Sequence, residues 1–326
     1  MFKRLFNELT LVFDLSPHGA PLLIKSGRES GADPTLLDMN FVRTIHPRTG
    51  KLTVFLPGSS LKGTLRSYCE KIARTVRPDG GREWCCNPFD LDAHSPTAFC
   101  GRRLEEETSA AARYAGSCVI CRTFGNTRMG SHVALTDAYP QGELQLEQRN
   151  GVAIDRISGA VAAGPFNLEV VTRGTFRATL TLRNFQLWQV GLLTVTLRDL
   201  GQGRVPIGFG KSKGFGRMTV TYRQLEVAYP GRFAFRSDGH DFSAELVDLV
   251  AFDFPCRAEY RLCPADPVSL PLPTDEREVV EDGTFGRVAV RWTNAEAIET
   301  ILKSTAGHWR VCALGEWPPQ GEESDE

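Results

Sequence analysis

Long apolar stretches are missing from this chain of 326 residues. None approaches the roughly 18 residues that a membrane-crossing helix needs, and Met1-Phe2-Lys3-Arg4 does not open a signal-peptide pattern. The expectation is a soluble, cytoplasmic protein with no membrane partner. The Gly-x-x-x-x-Gly-Lys-Ser/Thr spacing is also absent, which excludes that nucleotide cradle. Histidine is scarce, six in all, and a histidine general base in the N-terminal part has only His18 and His46 to draw on. Acidic residues are missing from one whole stretch, 201–223, which carries Arg204, Lys211, Lys213, Arg217 and Arg223.

That local absence belongs to a larger asymmetry. Residues 226–326 hold 9 Lys/Arg against 20 Asp/Glu, a net of −11, so residues 1–225, with 29 against 19, carry +10. The overall charge of −1 conceals this split. A basic body joined to an acidic C-terminal part fits a nucleic-acid partner. A hydrophobic content of 41% supports a sizeable core, and the length allows one large domain or two smaller ones.

Residues 57–66 read Pro-Gly-Ser-Ser-Leu-Lys-Gly-Thr-Leu-Arg, after the apolar run 52–56. A strand, a Gly/Ser turn and a helix start put unpaired backbone N–H groups on one spot. Ser59 and Ser60 add hydroxyls, and Lys62 and Arg66 add charge one turn apart. An ordinary capped helix start explains the same residues. The helix is predicted over 59–76, with Leu61, Leu65, Tyr68 and Ile72 at helical spacing. Glycines at 208, 210, 214 and 216 let a second basic loop approach a ligand closely. Phe209 and Phe215 in that loop either stack on bases or anchor it.

Other elements follow from periodicity. Residues 6–24 read as a strand or strand pair broken at 16–19, and 25–50 as a long loop. Short strands are expected at 132–138 and 151–157. The strand 166–171 follows a Gly/Ala-rich turn, giving a projecting β-hairpin. A strand at 174–183, a helix at 185–200 and a strand at 218–222 complete a split βαβ order, an α+β arrangement. Residues 228–326 read as a β-rich, acidic appendage whose last seven residues form a disordered tail.

Nine cysteines are many for such a chain, and Cys85, Cys86, Cys100, Cys118 and Cys121 fall within 37 residues. Metal binding is favoured over disulfides. Cys118-Val119-Ile120-Cys121 is a two-residue-spaced knuckle, and Cys100 with Cys86 supplies the other half. Cys85 is the alternative to Cys86, and His94 a possible substitute. Four thiolates suit a structural Zn²⁺ that would stabilise the loop-like insertion 77–128, read as wrapping a short Glu-rich helix.

Three motifs occur in order: Pro57-Gly58-Ser59-Ser60-Leu61-Lys62-Gly63, Val152-Ala153-Ile154-Asp155-Arg156 with Glu169-Val170-Val171 downstream, and the glycine loop 208–217. Over residues 1–225 the chain resembles the RAMP superfamily, in particular backbone subunits of type III CRISPR effector complexes. The resemblance implies a ferredoxin-like (RRM-like) palm with a zinc-binding insertion and a β-hairpin thumb, here about 151–172 with Ala160 to Ala163 near its tip. It implies subunits stacked along a guide RNA, beside other effector subunits and further copies of related ones, with a complementary target RNA. Phosphate contacts would fall on Ser59, Ser60, Lys62, Arg66, Arg156, Lys211, Lys213 and Arg217. In cleaving members a loop aspartate supports target-RNA cleavage with Mg²⁺ or another divalent cation. Asp38 fits that position better than Asp33, although the proline that commonly follows is missing, and Arg43 and His46 are possible assistants. A non-cleaving scaffold subunit and a stand-alone endoribonuclease that processes the guide precursor are the alternatives. Residues 226–326 have no counterpart in the resemblance.

Overall fold

A computed structural model describes residues 3–26, 39–78, 84–95, 97–230, 239–265, 267–282, 284 and 286–314. The strands are β1 (Glu8–Pro17), β2 (Arg43–Ile45), β3 (Leu52–Val54), β4 (Val133–Leu135), β5 (Tyr139–Pro140), β6 (Gln145–Ile154), β7 (Val161–Arg173), β8 (Phe176–Arg183), β9 (Met218–Tyr229), β10 (Glu245–Val247), β11 (Ser269–Pro271), β12 (Arg277–Asp282) and β13 (Arg287–Trp292). The helices are α1 (Gly58–Val76), α2 (Cys100–Arg103), α3 (Ala110–Gly116), α4 (Val119–Phe124), α5 (Leu187–Gly201) and α6 (Ala295–Leu314). None among the described residues is long and apolar enough to cross a membrane.

A seven-stranded sheet runs β12-β13-β9-β1-β8-β4, with β5 also on β8. Every pairing is antiparallel. Strict alternation in β1 puts Leu9, Leu11, Phe13 and Leu15 on one face, opposite Leu182, Leu180, Ala178 and Phe176 of β8. That face lies against α1, α5 and α6. On the other face Asp14 accepts from Arg177 of β8 (2.7 Å) and Arg223 of β9 (2.6 Å). Burial opposes the charge on Asp14, but the two guanidiniums outweigh it and hold the carboxyl below its usual range. The three central strands are pinned in register by this buried acceptor.

The C-terminal part continues the body. The expected boundary at 225/226 falls inside β9, and β13 pairs with that strand from Tyr229↔Val288 to Leu225↔Trp292. Helix α6, not anticipated in a β-rich appendage, packs on α5 where Gly191 passes it. A Cβ there would sit 2.3 Å from Thr305 O, which explains a glycine that otherwise costs a helix interior about 1 kcal/mol against alanine. The Glu-rich helix is also absent: Glu105, Glu106 and Glu107 lie between α2 and α3. Glu105 pairs with Arg102 and Arg128 there, and Ser109 caps α3 instead.

The N-terminus of α5 is held by Asp248, just after β10. Its carboxylate accepts from Leu187 N (2.6 Å) and Val250 N (2.9 Å). Burial pushes this acid up to about 7, against those donors. An unfolded aspartate titrates near ~3.9, so between about pH 4 and 7 the folded state keeps a proton that the unfolded state has released. The stabilisation due to this group therefore falls as pH rises through that window. Urea titrations should show the stability difference between the natural protein and Asp248→Asn moving in favour of the variant from about pH 4 to 7. A difference independent of pH would show that Asp248 is ionised throughout.

Candidate nucleic-acid interface and metal centre

Where β1 leaves the sheet, residues 21–26 run extended and bond to three other segments. Leu22 exchanges both backbone hydrogen bonds with Val171 of β7 (2.8 Å each). Leu23 O accepts from Phe209 N (2.8 Å) and Pro21 O from Gly216 N (2.9 Å), fixing both ends of the glycine loop. Ile24 O accepts from Val42 N, and Ser26 N donates to Asn40 O (2.9 Å each). Val42 O in turn accepts from Phe55 N (3.4 Å), and Leu56 pairs with Ala138 just before α1. Two of the three motifs read from the sequence, the end of the hairpin and the glycine loop, thus meet 40–42 at one end of the sheet, and the third, at the start of α1, joins them through 40–42 and 55–56.

The glycines of the second loop are required by this closure. A Cβ on Gly208 would lie 2.3 Å from Leu23 O, and one on Gly216 1.9 Å from Ile207 O, and both have positive φ. Between them Lys211–Lys213 form one 3-10 turn with left-handed Gly210 and Gly214 at its ends. Lys211, Lys213 and Arg217 are exposed. Phe209 and Phe215 pack partly into the core, and Lys213 Nζ lies 5.9 Å above the Phe209 ring. Anchoring is their observed role.

Helix α1 starts against the chain after β4. A Cβ on Gly58 would sit 2.5 Å from Leu135 O, and Gly58 N donates to Asp137 Oδ1 (2.8 Å). One orphan donor of the helix start is therefore satisfied from 79 residues away. Ser59 is exposed, and Ser60 and Lys62 are partly so. Burial first, then the charge of Arg66, pushes the Lys62 ammonium below the usual lysine range. Arg66 differs from the expectation. Its guanidinium is turned to Glu70 Oε1 (3.1 Å), Gly125 O (3.1 Å) and Cys121 Sγ (3.4 Å), and so serves the cysteine segment.

The hairpin starts earlier than expected, at Gln145, and its first half is largely solvated on both faces. Its turn is 155–160, which takes in Ala160 but leaves Ala162 and Ala163 in β7. Asp155 Oδ1 accepts from Ile157 N, Ser158 N and Ser158 Oγ, and Asp155 N donates to Ala160 O. These bonds, from Ser158 N above all, keep the Asp155 carboxyl below its usual range. The Asp-x-x-Ser-Gly run is a readable Asx-turn signal. The apolar side chains at the tip are Ile154, Val161 and Ile157, the last 98% exposed, and Arg156 is exposed beside them.

Asp33 and Asp38 lie outside the described residues. Met39 runs parallel to Leu168, donating to Asn167 O (3.1 Å) and accepting from Glu169 N (3.0 Å). Glu169 Oε2 accepts from Phe41 N (3.0 Å) and from Arg43 Nη1 (2.7 Å). Burial opposes its charge, yet Arg43 holds it below the usual carboxylate range. Arg43 is thus committed to Glu169. His46 is buried in its own turn, its Nδ1 accepting from Arg48 N (3.1 Å), its ring 4.7 Å from that of Tyr139. His18 is exposed, its main-chain N–H donating to Arg217 O at the end of the glycine loop.

Cys86, Cys100, Cys118 and Cys121 are buried, with all four sulfurs within 4.8 Å of one another. Cys86 Sγ lies 3.7 Å from both Cys118 Sγ and Cys121 Sγ. A disulfide needs about 2.05 Å, whereas a tetrahedron of thiolates about 2.3 Å from a zinc ion has edges of about 3.8 Å. The donor set therefore fits a metal ion such as Zn²⁺ with no open position. Main-chain N–H groups address the sulfurs as well: Cys118 N donates to Cys100 Sγ (3.2 Å) and Cys121 N to Cys118 Sγ (3.3 Å). Hydrogen bonding within the set pushes Cys86 and Cys100 down and Cys121 up. Burial pushes Cys85, outside the set, strongly up, and His94 is exposed and apart.

Arg122, between the knuckle and Gly125, is buried and donates to Ser117 O (3.0 Å), Ala115 O (2.6 Å) and Arg261 O (3.1 Å). It ties the cysteine segment to the C-terminal part. Burial pushes its pKa down.

The sequence model of the RAMP superfamily matches residues 20–219. That span begins at the extended segment after β1 and ends at the second residue of β9. No curated protein matches the chain.

The cysteine geometry separates neighbouring ligand sets. Elemental analysis of purified Cys100→Ser should show loss of the single metal ion a four-cysteine site holds, with Cys85→Ser and His94→Ala retaining it. Loss of metal from Cys85→Ser alone would move the fourth ligand to that residue.

Proposed function

The chain belongs to the RAMP superfamily, and on that premise we propose that it is a guide-RNA-binding backbone subunit of a type III CRISPR ribonucleoprotein. The observation that carries this reading is the segment 21–26, which joins the basic glycine loop, the base of the hairpin and the strand after Asp38 by backbone hydrogen bonds. Strands β9-β1-β8-β4, with α1 linking β1 to β4 and α5 linking β8 to β9, supply the order of a ferredoxin-like palm.

In this reading Ser59, Ser60 and Lys62 on α1, and Lys211, Lys213 and Arg217 in the glycine loop, contact guide phosphates. Such contacts fix position and leave sequence to base pairing. The hairpin is the thumb. Ile154, Ile157 and Val161 are the apolar wedge that enters the guide–target duplex, and Arg156 meets a phosphate beside it. Further copies of related subunits, other effector subunits and the target RNA are the partners. The four-cysteine ion is Zn²⁺ in a structural role.

Asp38 is the residue proposed to support target cleavage. A divalent cation such as Mg²⁺ on its carboxylate would offset charge as a 2′-hydroxyl attacks the adjacent phosphate. Glu169 supports this role, because it holds both Phe41 N and Arg43 and so fixes the strand that follows Asp38. The scaffold alternative keeps the same RNA contacts without cleavage. The guide-processing alternative rests on His18, since His46 is taken up by its turn.

Two experiments test the proposal. An assembled complex carrying Asp38→Ala, given complementary RNA and Mg²⁺, should lose one or more cuts while binding stays intact. Cutting unchanged at every position would sink the assignment of Asp38. Replacing Lys62 and Lys211 together by methionine should weaken guide binding and lower the slope of log K against log salt by about 1.4, at about 0.7 per single-strand contact. An unchanged slope would place the groove elsewhere.

A further inference from the structure

We propose that Arg66 and Arg103 are the counter-charges of the metal centre, and that through Arg66 this centre holds the RNA-facing helix α1 in place. The inference rests on the reading of the four cysteines as a metal site.

Four thiolates around one divalent cation carry a net charge of −2, here fully buried. A buried charge without partners is strongly disfavoured. Two guanidiniums approach the sulfurs. Arg66 Nη2 is 3.4 Å from Cys121 Sγ, and Arg103 Nη2 is 4.0 Å from Cys100 Sγ. Each is oriented by a carbonyl of the same segment, Gly125 O for Arg66 and Gly116 O for Arg103. The two positive charges equal the centre's −2 in number and oppose it in sign.

Arg66 does not act alone on its helix. Arg66, Glu70 and Arg74 stand four residues apart, with Glu70 3.1 Å from Arg66 and 3.8 Å from Arg74. Arg74 Nη2 donates to Cys86 O (3.2 Å). This stripe of α1 therefore grips both halves of the cysteine segment, Cys86 on one side and Cys121 with Gly125 on the other. One turn before Arg66 stands Lys62, already disfavoured by burial and by the Arg66 charge. Loss of the metal would remove what keeps the two halves together, and with it the acceptors that seat α1. RNA binding would then depend on an ion that touches no RNA.

The test uses the full chain as the natural protein and as Arg66→Met, Arg66→Lys, Arg103→Met and Lys62→Met. Zinc transfer to a chromophoric chelator and binding of a single-stranded RNA of mixed sequence across a salt series are the two readouts. Arg66→Met and Arg103→Met should hold zinc about 10–100-fold less tightly, the range for partners of metal ligands. Arg66→Lys, which keeps the charge and loses the fork, should fall between them and the natural protein. Arg66→Met should weaken RNA binding with an unchanged salt slope, whereas Lys62→Met should lower the slope by about 0.7. Chelation of the natural protein should weaken RNA binding as Arg66→Met does.

Natural zinc retention in all three arginine variants would overturn the proposal. So would a slope lowered in Arg66→Met as much as in Lys62→Met, which would make Arg66 a phosphate contact. A natural protein without bound metal would overturn the metal reading first, before any variant is compared.

Discussion

The end of the sheet where the glycine loop, the base of the hairpin and 40–42 meet depends on six residues of extended backbone, 21–26. An extended chain presents N–H and C=O groups alternately to its two sides, and a buried one must have them satisfied. Leu22, Leu23 and Ile24 are buried, so the backbone around them seeks partners, and it finds them in β7, in the glycine loop and in 40–42. The side chains fill the core while the main chain acts as a common edge. Placement of the two lysines at 211 and 213 follows from this closure, because their turn is held from both ends.

Local signals in the sequence led to the parts that local physics determines. Leu61 and Leu65 give α1 its period, the alternation 174–183 gives β8, and the two-residue cysteine spacing gives one half of the sulfur cluster, though not the helix α4, where Cys118 accepts from Cys121 N as a helix cap. Glycines at 208 and 216 announced a close approach but not its target, Leu23 O in one case. The first half of the hairpin escaped notice because a strand solvated on both faces lacks alternation. Asp137 at the start of α1, and the turn of Arg66 away from that start, were beyond reach. Each depends on a partner more than 50 residues distant, and an arginine four residues after a lysine reads equally well in either role.

The cysteine segment is built to be held from outside as much as from within. Its helices are short, below the length at which a helix stands alone in water, and its buried side chains, Tyr114, Val119, Ile120 and Phe124 among them, pack into the common core. Arg122 ties it to Arg261, and the α1 stripe holds it through Arg66 and Arg74. A metal ion at the centre would therefore tie a junction between three parts of the chain, and its effect on stability would reach beyond the loop that binds it.

Gly191 has a consequence for what counts as a unit in this protein. The family match ends at residue 219, yet the side of α5 around Gly191 is shaped to receive α6, seventy-odd residues outside that limit, and the central strand β1 precedes its other limit. A chain cut to the matched span would lack its middle strand and would present an open, greasy helix surface to water. Recognisable sequence and self-sufficient structure have different borders here. The acidic C-terminal part, whatever else it meets, is the lid of the protein's own core.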